Sequence, residues 1–168
     1  VIKDYFLSYN DILAQNIYEY LVRITPGFIL LQTGIAAGII KASLEEINKS
    51  NASHADINSY LEFDFKSLQD EYISLLNLVQ NLAKNINNVN PLDILEARLL
   101  GSNLTQKITS AAVLFSGARG YLEGSKVSRL QREGNFVLIV TPSIKHLLKE
   151  ISEVKAGRGC INSWKSKL

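Results

Sequence analysis

Residues 114–136 read Leu-Phe-Ser-Gly-Ala-Arg-Gly-Tyr-Leu-Glu-Gly-Ser-Lys-Val-Ser-Arg-Leu-Gln-Arg-Glu-Gly-Asn-Phe, and Val-Leu-Ile-Val-Thr-Pro-Ser follows at once. An apolar helical pattern arrives at Phe115 and another leaves after Ser125, so the stretch is a helix end, a turn and a helix start. Gly117 and Gly120 let the backbone turn without a Cβ penalty. Arg119, Arg129 and Arg132 bring planar guanidinium forks suited to carboxylate or phosphate. From the residues alone, a glycine-rich helix end before a short basic helix over Ser125 to Arg132 is a plain connection.

Upstream, helix starts are marked by cap residues. Each of the three prolines follows one: Thr25-Pro26, Asn90-Pro91 and Thr141-Pro142. Each pair predicts an N-cap and the first helical residue, where the missing proline donor costs nothing. A lead-in helix after Asn10-Asp11 is predicted from Ala14, Ile17, Tyr18, Leu21 and Ile24. From Pro26 to about Lys49, the large stripe Phe28, Leu31, Ile35 and Ile39 runs beside the small stripe Gly34, Gly38 and Ala42. Together they predict a helix inside a bundle, with a neighbour close along the glycine side. The Asn-, Ser- and Asp-rich segment Ser50 to Leu61, with His54, predicts an exposed connection.

A second long helix is predicted from about Asp64 to Ile86, inward along Phe65, Leu68, Tyr72, Leu75, Val79, Leu82 and Ile86. The third, from Asn90-Pro91, faces inward along Leu95, Leu99, Leu104, Ile108, Ala111 and Phe115. The last helix, from Pro142, carries Ile144, Leu147, Leu148, Ile151 and Val154 inward, with Lys145 and His146 on its wet side. Long helices with short connections predict an all-α, up-down four-helix bundle with short extra helices.

The bounds exclude several classes. The 168 residues suit one domain with a real core. A net charge of +2, from 18 basic and 16 acidic residues, is too balanced for a nucleic-acid footprint. The longest apolar run, Phe28 to Ile40, is interrupted by Gln32 and Thr33, which predicts a buried helix and no membrane partner. Two histidines and the single Cys160 offer no metal-ligand cluster. There is no methionine, so the chain is expected to be a fragment or processed product. Val1 to Leu7 has the composition of a strand.

Gly120-Tyr121, a spacer, Arg129-Leu130-Gln131-Arg132-Glu133 and then an apolar run into a helix start resembles the C-terminal helical domain of the acyl-CoA dehydrogenase family. Thr25 to Ile47 is similar to that domain's first helix, and Ala97-Arg98-Leu99-Leu100-Gly101-Ser102 to a run on its third long helix. The resemblance implies a β-domain ending within residues 1–13, the helical bundle over 14–155 and a loose tail over 156–168. It implies FAD as cofactor, an acyl-CoA or related thioester as substrate, and a homo-oligomer, dimer or tetramer.

The same resemblance assigns sites residue by residue. Gly117 and Ala118 match the glycine pair beside the flavin pyrophosphate, Leu114 stands where the family has a glutamine, and Ser143 follows as a further cofactor contact. The family base is a glutamate matching Thr141 or, in other members, Phe28, and neither residue here can act as a carboxylate base. The family's Arg-x-x-Phe-Gly loop is absent between Asn51 and Phe65. Two functions stay open: a divergent flavoprotein wall, or a helical assembly module without flavin chemistry. The expected location is cytoplasmic, with Ser166-Lys167-Leu168 as a peroxisomal alternative.

Overall fold

A computed structural model describes residues 2–158. Val1, Cys160 and the terminal Ser166-Lys167-Leu168 lie outside the described residues, as does most of the 156–168 tail. Six α-helices follow a short 3-10 turn at Tyr9–Asp11: α1 Ile17–Asn58, α2 Phe65–Lys84, α3 Pro91–Ser116, α4 Ala118–Tyr121, α5 Lys126–Ile139 and α6 Ile144–Lys155. The predicted all-α fold is present, and the described residues contain no strand. Ile2 to Leu7, expected as the stub of a strand whose sheet lies elsewhere, is exposed and irregular, with a bend at Asp4, φ 54°, and pairs with no strand among the described residues. A strand needs a neighbouring ladder to satisfy its amides.

The up-down order follows from pairs of touching residues. A Cβ on Gly101 of α3 would meet Thr33 and Ala36 of α1, and Ser50 of α1 donates to the Phe115 carbonyl of α3, so these two helices run the same way. Lys107 of α3 pairs with Glu71 of α2 at 2.5 Å, while Leu75 approaches Gly101, so α2 runs opposite. Gly134 of α5 abuts Thr105 and Thr109 of α3, whereas Val127 abuts Gly120, so α5 also runs opposite. Helix α3 is thus the hub, buried from Ile94 to Phe115 against α1, α2, α5 and α6.

Local cap chemistry holds at three starts. Asn90 accepts the Leu92 amide ahead of Pro91, Asp64 accepts the Ser67 amide, and Ser125 accepts the Ser128 amide. It fails at two. Pro26 lies inside α1, which starts instead after Asn16, whose side chain accepts from Tyr18 and Glu19. Proline leaves the Val22 carbonyl without its donor, and the Thr25 hydroxyl bonds back to the Leu21 carbonyl at 2.6 Å, both inside a continuous helix. At the other, Thr141-Pro142 is a cis peptide in the α5–α6 turn and Ser143 is the N-cap of α6.

Ser50 to Asn58 is helix rather than the predicted connection, and α1 bends where His54 takes φ −139° and ψ 33°. The bend turns Asn58 back, so its amide donates to Ser50 and Asn51. α5 extends past Arg132 to Ile139.

The large correction concerns the faces of α1. Its buried side is Ile29, Leu30, Thr33, Ala36, Ile40, Leu44 and Ile47. The stripe expected inside is outside instead: Phe28 is 52% exposed and Leu31 76%. Among the described residues no neighbour lies along Gly34 and Gly38, where a Cβ would meet nothing within 4 Å. By length and composition, α1 is also apolar enough to cross a bilayer, with an 18-residue window of mean hydropathy 1.5, 44% of it buried in the bundle. The interruption at Gln32 and Thr33 therefore does not make the helix too short, as the sequence argument held.

Candidate functional site

The predicted site residues fall at the two ends of the bundle. At one end, Gly117, Ala118 and Leu114 line an open cavity of about 540 Å³ between the bend of α1 and the α3–α5 turn. Gly117 takes φ +58° and ψ −149°, a conformation that disfavours any side chain, and a Cβ there would meet nothing. The cavity floor is fixed by caps: the Ser50 hydroxyl satisfies the Phe115 carbonyl at the C-terminus of α3, and the Ser125 hydroxyl donates to the Gly120 carbonyl at 2.8 Å.

Charges at this end do not cancel. Lys49 and Lys126 both reach Glu46, at 2.7 and 3.0 Å, and Lys126 also lies 3.6 Å from Glu45. Partial burial pushes the Glu46 carboxyl upward, but hydrogen bonds and charge from the two lysines outweigh it and hold Glu46 below its ordinary value. The hydrogen bond to Glu46 raises Lys126. Arg119 is exposed on the cavity wall with no partner among the described residues, while Arg129 pairs with Glu133 and Arg132 with Ser128. The lining therefore carries a cationic excess and a Cβ-free approach at Gly117, features that fit a phosphate-bearing group. Leu114, 58% exposed, offers it no hydrogen bond.

His54 lines this cavity, half-buried. The sequence placed it in a solvated loop. Its signal was present only as polarity, because Ser-Asn-Ala-Ser-His-Ala-Asp reads equally as a connection or as a bent helix end.

At the other end stand Phe28, Thr141 and Ser143. Gln32, one turn after Phe28 and 7% exposed, donates its amide to the Thr141 carbonyl at 2.5 Å. Gln32 and Thr141 are 109 positions apart, and their bond brings the turns bearing Phe28 and Thr141 together. Ser143, 6% exposed, is the N-cap of α6, yet its hydroxyl takes no bond from that helix's amides and meets His146 Nδ1 at 3.1 Å. His146 itself is exposed, as its place on the wet side of α6 predicted.

A buried guanidinium pins the same turn from below. Arg98, fully buried, donates to the Val137 carbonyl at 2.9 Å and to the Ser102 hydroxyl, capping the last turn of α5. Burial lowers its pKa. Arg98 Nε and Gln32 Oε1 are the two buried side-chain atoms left without a partner among the described residues.

Gln32 and Ser50 mark the two ends on one helix, and at about 1.5 Å per residue they stand about 27 Å apart. The fold thus brings Gln32, one turn after Phe28, to the turn that bears Thr141 and Ser143, and keeps Gly117 and Ala118 away from them. No group of three or more His, Cys, Asp or Glu able to hold a metal gathers among the described residues. Compared with models of known families, with curated proteins and with solved structures, the chain matches none.

Proposed function

We propose that this bundle is the helical wall of a divergent FAD-dependent oxidoreductase of the acyl-CoA dehydrogenase type, acting on an acyl thioester. One observation carries the reading: Gln32, one turn after Phe28, bonds the Thr141 carbonyl, so the two alternative positions for the base in the family the sequence resembles lie on adjoining turns despite their separation in the chain. Two positions that serve one proton must lie near one point, and composition alone gives no reason for them to do so.

The flavin, when bound, supplies the two-electron acceptor. Of this chain's residues, Arg119 and Lys126 would hold phosphate oxygens at the Gly117 end, by charge and hydrogen bonding. At the Thr141 end, Gln32 and Arg98 fix the α5–α6 turn through its carbonyls, and exposed Phe28, with Ile24 and Leu31 beside it, gives an apolar surface for an acyl chain. The two ends are too far apart for one flavin to place its pyrophosphate at one and its ring at the other. The reading therefore requires a homo-oligomer in which two chains share each site.

The test is direct. The full-length protein is expected to purify yellow, with flavin absorption, and to bleach anaerobically with some member of an acyl-CoA panel. A colourless protein that also rejects added FAD refutes this reading. It would favour a helical assembly module, which the exposed apolar stripe Ile17, Leu21, Ile24, Phe28, Leu31 and Ile35 supports in its own right.

A further inference from the structure

The outer side of α1 is apolar and without a partner among the described residues, and the charges that bound it select one kind of surface. We propose that the bundle docks on the surface of an anionic lipid bilayer through this side, with α1 lying in the plane of the interface. The inference concerns neither the cavity nor the α5–α6 turn, and it stands whether or not the chain is part of a flavoprotein.

The apolar area comes first. More than half of the large apolar side chains exposed among the described residues fall between positions 2 and 35. Six of them, Ile17, Leu21, Ile24, Phe28, Leu31 and Ile35, recur three and four apart and form one stripe along α1. At 37–76% exposure they present on the order of 600 Å², the upper end of the largest apolar patch on an ordinary monomer. Gly34 and Gly38 add no bulk beside the stripe, because a Cβ on either would meet nothing within 4 Å.

Charge then decides what can lie against it. No charged residue occurs between Arg23 and Lys41. Eighteen positions separate the two, five whole turns of helix, so they share one edge of the stripe and stand about 27 Å apart. Both are exposed, and neither meets a carboxylate among the described residues. Arg23 lies over the Tyr20 ring, 5.5 Å from its centroid, and Tyr18 at the same end is 74% exposed. Tyrosine and arginine settle at headgroup level, where the body of the side chain is apolar and the tip is wet. The edge therefore offers cations to lipid phosphates where the stripe offers methyl groups to acyl chains.

Two other arrangements fit less well. Spanning the bilayer would strip the bundle from α1, whose opposite side, through Ile29, Thr33, Ala36 and Ile40, is buried. A second copy stacked stripe to stripe sets cation against cation. A two-fold axis through the middle of the stripe brings each Arg23 to the Lys41 of the other copy, and parallel stacking brings each cation to its own equivalent. An anionic bilayer turns the same cations into attraction, which raises affinity about fivefold per side chain.

Vesicle flotation of the full-length protein is the test. The protein should float with phosphatidylcholine vesicles that contain phosphatidylglycerol, float less with phosphatidylcholine alone, and lose the difference at high salt. Arg23→Gln combined with Lys41→Gln should weaken binding to the anionic vesicles about 20–30-fold. Leu31→Asp should weaken it at least about tenfold, through a lost apolar side chain and an added carboxylate. Leu122→Asp, at an exposed position outside the stripe, should leave it unchanged. Leu31 is 76% exposed, so the fold should survive; melting curves check this, and Gly34→Asp gives a second variant on the same side. No flotation with either vesicle overturns the proposal, and so does flotation that Leu31→Asp and Gly34→Asp leave intact, or that Leu122→Asp weakens equally. A dimer by light scattering that Leu31→Asp splits, without flotation, assigns the surface to a second copy instead. None of these readouts uses flavin, so a colourless protein that floats refutes the flavoprotein and keeps the docking surface.

Discussion

The two faces of α1 have similar chemistry and opposite fates. One, through Ile29, Ala36, Ile40 and Ile47, is sealed against the bundle, and Ile40 is 0% exposed. The other, through Ile24, Phe28, Leu31 and Ile35, faces outward beside Gly34 and Gly38. The difference teaches that glycine in a helix does not by itself mark a close contact. The close contacts between long helices are at Gly101, where a Cβ would lie 2.9 Å from Thr33 Cγ2, and at Gly134, where it would lie 2.9 Å from Thr109.

The largest expected effect tests the faces directly. Ile40→Ala should cost about 2–5 kcal/mol through lost burial and a cavity, whereas Leu31→Ala on the outer face should stay within about 0.5 kcal/mol. Thermal melts of the two variants measure the contrast, and equal losses would break it. Next in size, Gly101→Val should destabilise by about 1–3 kcal/mol, because the added side chain must displace Thr33 on a packed helix. Its melting midpoint should fall by several degrees, at about 2–4 °C per kcal/mol.

A smaller effect belongs to the cavity end. Glu46→Gln should cost about 1 kcal/mol or less, because its lysine partners are partly solvated. The folded protein holds Glu46 below its ordinary value, so its contribution is full above the ordinary carboxylate range. It is lost as the pH falls through the depressed folded value. Acid titration of stability should therefore show a smaller loss in Glu46→Gln than in the unmodified protein. The smallest effect has the opposite sign: Gly38→Ala should stabilise by about 0.5–1 kcal/mol, since the methyl meets nothing and alanine favours the helix. A fall in its melting midpoint would mean that a partner lies against this face.

Much of the candidate site was visible in the sequence as separate pieces. Gly117 was singled out by the glycine-rich turn and Ala118 by the resemblance, and both do line the cavity. Thr141, Ser143 and Phe28 came from resemblance, and no local pattern could join them, because the link is Gln32, a polar residue that reads as an interruption in an apolar run. His146 was placed on the wet side of its helix without a role. Its bond to Ser143 depends on where α6 starts, and the Thr141-Pro142 pair pointed two residues too early.

The sequence by itself determined the helices: the starts at Asp64, Asn90 and Ser125, the inward stripe of α2 and the apolar face of α3. Those signals act within a turn or two, where a cap oxygen finds its amide or a stripe keeps its period. Only the tertiary structure decided which side of α1 is inside, that Pro26 lies within a helix and that the α5–α6 turn meets Gln32 and Arg98. A helix with apolar residues on both sides carries no polar face to orient it, so the choice falls to the partner that packs most closely. Here that partner is α3, whose Gly101 admits Thr33 and Ala36.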